Sequence, residues 1–256
     1  MEKAKKIGKL TGVALFWLLL WWGASLLVNN TLLFPDPWTV ASHLFALMGT
    51  GAFWLITATS VWRILLGVLV AVAIGGALAI ATAFCRPLEE LFSPLLTVVK
   101  STPVASFIVL ALIWLGRDVI PSFISILMVT PVVWGNVSAG IKSTDPALLE
   151  MSRAYRVGRG RIFLRVYLPS VMPHFFSAIR TSLGLAWKAG IAAEVLTVPH
   201  NSIGKMLFES KLNMETADMF AWTFTVILLS LVIEKLIVAL IARLCRRAFR
   251  EVGQYA

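Results

Sequence analysis

Three groups of residues in this 256-residue chain have types and spacings with chemical consequences. The first is Lys100-Ser101-Thr102 followed by Pro103, an ammonium and two hydroxyls beside a helix breaker in an otherwise apolar stretch. The second is Arg180, Lys188 and Glu194 on one long apolar run. At about 100° per residue Glu194 falls about 40° from Arg180 and Lys188 about 80° from it, so one broad helical face can carry all three. Ionisable residues in such surroundings are expensive and mark pathways or paired contacts, and the surplus of positive charge suits an anionic solute. Lys100, Ser101, Thr102, Lys188 and Glu194 are therefore the candidate pathway residues. Arg180 and Glu194 can instead snorkel to the two interfaces, which leaves Lys100 and Lys188 as the sharper pair. The third group is five arginines, Arg153, Arg156, Arg159, Arg161 and Arg165, gathered between Leu148 and Pro173.

Enzymatic chemistry has no such footing. His43, His174 and His200 lie in separate segments, no HExxH or acidic metal-ligand spacing occurs, and no serine or cysteine has a base beside it. Neither a catalytic residue nor a metal site is expected. Nothing matches GxxxxGK[ST], so the chain cannot cradle nucleotide phosphates and carries no nucleotide cofactor of its own. Cys85 and Cys245 lack CxxC spacing and are expected to be inert.

The elements that must position these residues are membrane spans. Hydrophobic residues make up 59% of the chain and charged ones 14%, against roughly 45–50% and about 25% in soluble domains. The net charge of +10 sits at the edges of apolar runs rather than in an aromatic-interleaved patch, which argues against nucleic acid as a partner. A bilayer core of about 30 Å takes about 20 apolar residues in helix. Windows at 10–29, 64–83, 91–115 (interrupted by Lys100), 120–141, about 174–196 and 219–242 qualify, giving six spans. The stretch 37–62 also lacks charge, but Gly49-Thr50-Gly51 divides it; it reads as an outer helix, a turn and a lead-in to the second span. With six spans, fifteen Lys and Arg fall on the side of the termini and three, Arg117, Lys205 and Lys211, on the other. The positive-inside rule then puts both termini in the cytosol. The first apolar run is too long for a signal peptide and no small-residue cleavage site follows, so it reads as a retained helix.

The arginine-rich stretch becomes a cytosolic loop between spans four and five, at about 142–173. Asp145-Pro146 is a helix start. A short helix to about Tyr155 follows, Gly158 and Gly160 interrupt it, and a second short helix from Arg161 to Leu168 ends at Pro169 and Pro173. On that second helix Ile162, Phe163, Val166 and Tyr167 share one face while Arg161 and Arg165 pair on another. Taken alone, this fits an interfacial helix whose arginines meet anionic lipid.

Glu150-Met151-Ser152, Gly158, Ile162 and Tyr167-Leu168-Pro169 resemble the EAA loop of permease subunits of type I ABC importers. Phe34-Pro35-Asp36-Pro37, "SVWRILLG" from Ser60, "LLTVVKSTPVASFIVLALIWLG" from Leu95 and "GLAWKAGIAAEVL" from Gly184 are similar to the branch serving aliphatic sulfonate, taurine and nitrate uptake. The resemblance implies an all-α, multi-pass bacterial inner-membrane permease of the MetI-like fold and no enzyme. It implies a single domain over 1–256, with a first span at about 10–29 and a transport core at about 60–242. ATP and Mg would be handled by partner ATPase subunits, and a substrate-binding protein would dock on the outer face. A permease homodimer in contact with membrane lipid is implied too. Asp145, Leu149, Glu150, Met151, Ser152, Arg153, Tyr155, Arg156, Gly158, Ile162, Leu168 and Pro169 would then form the ATPase-coupling loop. Three positions depart from the family's pattern: Met151 and Ser152 replace the alanines, and Arg156 stands at the usual glycine, which is met only at Gly158. Permeases of this kind also serve nitrogen-heterocycle precursors such as thiamine pyrimidines. The main rival is a self-sufficient secondary transporter or channel, which calls for internal repeats or broken helices around a midplane site; the sequence contains no repeat.

Overall fold

The computed structural model describes residues 2–253, with the side chains of residues 2–10, 241–242 and 244–253 left outside the description. Lys3, Lys5, Lys6, Lys9, Arg246, Arg247 and Arg250, which entered the charge asymmetry, and Cys245 therefore have side chains outside the described residues. The chain forms helices α1 (Glu2–Val28), α2 (Pro37–Met48), α3 (Gly51–Phe84), α4 (Arg86–Ser101), α5 (Val104–Trp114) and α6 (Ile120–Lys142). After these come α7 (Pro146–Ala154), α8 (Arg159–Ile162), a π-helical turn at Phe163–Tyr167, α9 (Leu168–Thr197), α10 (Ile203–Leu212) and α11 (Thr216–Gly253). No strand occurs among the described residues.

Five helical segments are long and apolar enough to cross a membrane: Thr11–Val28, Gly51–Phe84, Ile120–Lys142, Arg159–Thr197 and Thr216–Leu240. The expected third span is different. Residues 91–115 divide into α4 and α5, bent by 106° at their junction, so a sixth crossing exists only as a broken one. Proline explains the break: Pro103 has no N–H and drives the preceding residue out of the helical region, and Thr102 is extended at φ −84°, ψ 135°. Two other boundaries also move. α3 begins at Gly51, capped by Thr50, so the lead-in and the second span are one helix of 34 residues. The second loop helix does not stop at Pro169; α8, the π-helical turn and α9 run on without a break. Leu168 N–H donates to the Phe163 carbonyl five residues back. Pro169, with no N–H to close the next turn, permits that widening instead of ending the helix.

The core is built from α3, α6 and α9. Gly67, Ala71, Gly75 and Ala79, spaced by four on α3, lie buried on one face. A Cβ at Gly67 would come 2.5 Å from the Ser122 carbonyl, and one at Gly75 2.8 Å from that of Thr130. Residue numbers rise together along this contact, so α3 and α6 are parallel and touch backbone to backbone, the packing that small residues at four-residue spacing permit in a bilayer. α9 runs the opposite way across them: Gly140 meets Val171 and His174 at one end, and Gly190 meets Ile64 and Ser125 at the other. A smaller apolar cluster of Ile108, Ala111, Ile120, Ile124, Ala189 and Ala193 seats α5 against α6 and α9. α1 and α2 attach at the edge, where the Trp21 indole N–H donates to the Pro35 carbonyl at 3.1 Å and its ring stacks on Phe220 and Phe224 of α11. Asp36 caps α2, accepting from the N–H groups of Trp38 and Thr39 at 2.9 Å each.

Candidate functional site

At one end of the bundle the arginine-rich loop is a structured elbow. Asp145 accepts from the Ala147 N–H at 2.8 Å and so starts α7 as an N-cap. α7 ends at Ala154, about where the sequence placed it, but the residue that makes the stop is not one of the expected glycines. Val157 N–H donates to the Ser152 carbonyl and Arg156 N–H to the Arg153 carbonyl, both at 2.9 Å, which is the Schellman pattern of helix termination. That pattern wants glycine at its left-handed position, and Arg156 occupies it at φ 52°. Gly158, at φ −61° and ψ 144°, is extended and begins α8. Glycine's freedom is therefore used at neither Gly158 nor Gly160; the departure from the family's pattern falls on the one residue that needs it. Arg156→Gly is expected to raise the stability of the chain by about 0.5–1 kcal/mol, because about 1–2 kcal/mol of left-handed strain is relieved and glycine's entropy takes part of it back. Thermal unfolding in detergent checks this; a lower midpoint would mean the arginine side chain outweighs the strain.

The elbow has two distinct sides. Leu149 is half-buried and Ser152 buried, its hydroxyl donating to the Leu148 carbonyl at 2.8 Å. Leu148, Met151 and Tyr155 form an exposed apolar stripe, Tyr155 at 79% exposure, with Asp145 and Glu150 also open, while Arg153, exposed too, lies beside Leu149 on the inner side. Ile162, Phe163, Val166 and Tyr167 are half-buried and Arg161 and Arg165 exposed, as their spacing indicated. Leu168 is exposed and Pro169 half-buried at the start of α9.

The charged residues of the spans separate. Lys100 sits in the last turn of α4, exposed, with its ammonium 5.9 Å from the ring centroid of Trp134 on α6. Ser101 and Thr102 turn their hydroxyls back onto the Val98 carbonyl at 3.1 and 2.8 Å, leaving only lone pairs to face outward at the bend. Lys188 is exposed on α9 and has no ion pair among the described residues. Arg180 pairs with Glu234 of α11 at 3.4 Å. Glu194 leaves the common face altogether and is fully buried.

Around Glu194 lies a constellation that sequence reasoning missed. Its Oε2 accepts from the Ser60 hydroxyl at 2.8 Å and from the Gly204 N–H at 3.1 Å. Ser60 Oγ in turn accepts from the Ile203 N–H at 2.9 Å, so α3, α9 and the first turn of α10 are tied at one buried point. Beside it, Arg63 donates to Asp118 at 2.7 Å, and Asp118 accepts from the His200 N–H at 2.9 Å and meets its ring at 3.1 Å. Burial works to raise the Asp118 carboxyl, but the hydrogen bonds from His200 and the Arg63 charge outweigh it and hold the group below its ordinary value. Val198, β-branched, is kept at φ 49° between these anchors, a strained conformation that persists because its surroundings over-determine it. The signal was absent from any short window: the partners are 134, 143 and 82 residues apart. Among the described residues no group of three or more His, Cys, Asp or Glu side chains is placed to hold a metal ion.

Comparison with known proteins identifies the architecture. The profile of the binding-protein-dependent transport system inner membrane component family matches residues 64–250. The chain is 27% identical over 192 residues to the putative aliphatic sulfonates transport permease protein of Escherichia coli strain K12, covering 73% of this chain and 71% of that one. It is 26% identical over 189 residues to the taurine transport system permease protein of the same strain, covering 70% and 68%. Over 150 residues it is 29% identical to the nitrate import permease protein of Leptolyngbya laminosa, covering 57% and 53%. A bundle of apolar helices with a broken crossing, matched over most of its length to this profile, is a transport subunit and not an enzyme: the chain belongs to the binding-protein-dependent transport system inner membrane component family.

Proposed function

We propose that this permease forms the translocation pathway of an ATP-driven importer and takes its energy from separate ATPase subunits that dock on α7. The carrying observation is the stripe of Leu148, Met151 and Tyr155, large apolar side chains left exposed on a short helix that belongs to no span. A helix outside the bilayer that presents such a stripe is built to be covered by protein. Both termini and the loop 142–173 then lie in the cytosol, and ATP and Mg belong to the ATPase. The chain is one domain with its transport core at about 60–242, working as two copies. A substrate-binding protein docks on the face formed by residues 30–52, 117–121 and 197–218. Lys100 with Ser101 and Thr102, at the bend of the broken crossing, and Lys188 on α9 line the pathway; Glu194 holds α10 to the core instead. The cargo is a small anion of the aliphatic sulfonate, taurine or nitrate kind, which suits unpaired ammonium groups and the substrates named for the similar permeases.

The test is co-purification of the detergent-solubilised chain with its ATPase, comparing wild type with Glu150→Arg. Reversing an interfacial charge is expected to reduce ATPase recovery by about tenfold or more while the permease still elutes as a single species. Equal recovery from both proteins would overturn docking through α7.

A further inference from the structure

The inner side of the same elbow carries a second surface. Between the α7–α8 end of α3, α6 and the start of α9 runs a cleft lined by Gly76, Ile80, Phe84, Ile141, Tyr167 and Phe175 among others, with no polar surface in its walls. A Cβ added at Gly76 would meet nothing within 4 Å, so the cleft is open along α3. Phe84, Phe163 and Tyr167 also line an adjoining groove, and there the walls change character: Arg153, Arg156 and Arg159 join them. None of these three arginines has an ion pair among the described residues; Glu89 pairs with Lys142, and Glu150 is not among the residues that line the groove.

From the continuity of these two surfaces we infer that the permease holds one anionic phospholipid, an acyl chain in the apolar cleft of α3, α6 and α9 and its phosphate against Arg153, Arg156 and Arg159. The dimensions agree. From Gly76 to Phe84 the cleft follows eight residues of helix, about 12 Å, close to the half-thickness of about 15 Å of the hydrocarbon core that a single leaflet occupies. The charge agrees as well, because cytoplasmic leaflets are anionic and unpaired guanidinium groups at their depth recruit phosphate. A peptide segment fits less well, since a purely apolar wall offers its backbone no hydrogen-bonding partner. Docking and lipid binding then use different sides of one loop: the Leu148–Met151–Tyr155 stripe faces the ATPase, and the arginines of the inner groove face the headgroup. The inference rests on the cytosolic placement of this loop proposed above.

Native mass spectrometry of the purified chain, with added phosphatidylglycerol or phosphatidylcholine, tests it without requiring transport or an ATPase, so a failure here leaves the permease reading untouched. Wild type is expected to retain one phosphatidylglycerol in preference to phosphatidylcholine. The double variant Arg153→Gln, Arg159→Gln is expected to weaken phosphatidylglycerol retention by about 25-fold, about fivefold per arginine. Gly76→Leu, which fills the cleft and leaves the arginines in place, should lose retention of the lipid altogether, with a monodisperse elution profile reporting that each variant is folded. Equal retention of the two lipids, or retention unchanged in both variants, would overturn the inference. So would displacement of the bound lipid by excess inorganic phosphate, which would mark a free-anion site, or a lipid-free dimer whose second copy fills the cleft.

Discussion

Replacing Gly204 with alanine is expected to destabilise the permease by about 3–5 kcal/mol, the largest effect of any single methyl group in this structure. The added Cβ would lie 2.3 Å from Glu194 Cβ and 2.4 Å from the Glu194 carbonyl carbon and the Val195 nitrogen. Two of those three atoms are backbone, so no rotamer change relieves the clash, and α10 must move off the end of α9. Overpacking alone costs about 1–3 kcal/mol. The shift also takes the Gly204 N–H away from Glu194 and the Ile203 N–H away from Ser60, leaving buried donors unpaired at about 1–3 kcal/mol each. Thermal unfolding in detergent should show a midpoint lower by roughly 10 °C, at about 2–4 °C per kcal/mol for a chain of this size. Ser60→Ala separates the two contributions, since it removes hydrogen bonds without adding volume and should cost about 2 kcal/mol. A Gly204→Ala protein that unfolds with the wild type would disprove close contact between α10 and α9.

Gly67→Ala combined with Gly75→Ala should be nearly as damaging, about 2–6 kcal/mol, because each new Cβ runs into the α6 backbone: 2.5 Å from the Ser122 carbonyl oxygen and 2.8 Å from that of Thr130. The two sites are about 12 Å apart along α3, so their costs should add. Gly76→Ala is the matched control, one residue along the same helix with nothing within 4 Å of the new methyl; it should be neutral or slightly stabilising through helix propensity. If the double variant and the control unfold alike, α3 and α6 are not in direct backbone contact in the folded protein.

Much of the architecture can be read in the sequence because the bilayer imposes length and polarity on each span. Segment 120–141 differs from α6 by a single residue, and the outer helix, turn and lead-in at 37–62 appear as α2, Gly49-Thr50 and the start of α3. The amphipathic face from Ile162 to Tyr167 is equally local, and it is present. Proline was the less transparent signal. Pro103 breaks a crossing through 106°, while Pro169 and Pro173 sit inside a continuous helix, because neighbours decide whether a missing N–H becomes a kink or a widened turn. Arg156 was opaque for another reason: two nearby glycines looked like the helix stop, yet the capping hydrogen bonds select an arginine. A helical wheel placed Glu194 with Arg180 and Lys188. Its real partners, Ser60 and the N–H of Gly204, belong to elements distant in sequence, and no periodicity in α9 encodes them.

The length of α3 has one more implication. Its 34 residues span about 51 Å, well beyond the hydrocarbon core, and carry Ser60 and Arg63 near one end and Phe84 at the other. Clamped to α6 along its middle, it behaves as a rod on a pivot: a tilt of about 10° swings each end by about 4 Å in opposite senses. In the docking proposed above, nucleotide binding at one membrane surface would reach the other as leverage, without a chain of side-chain rearrangements in between.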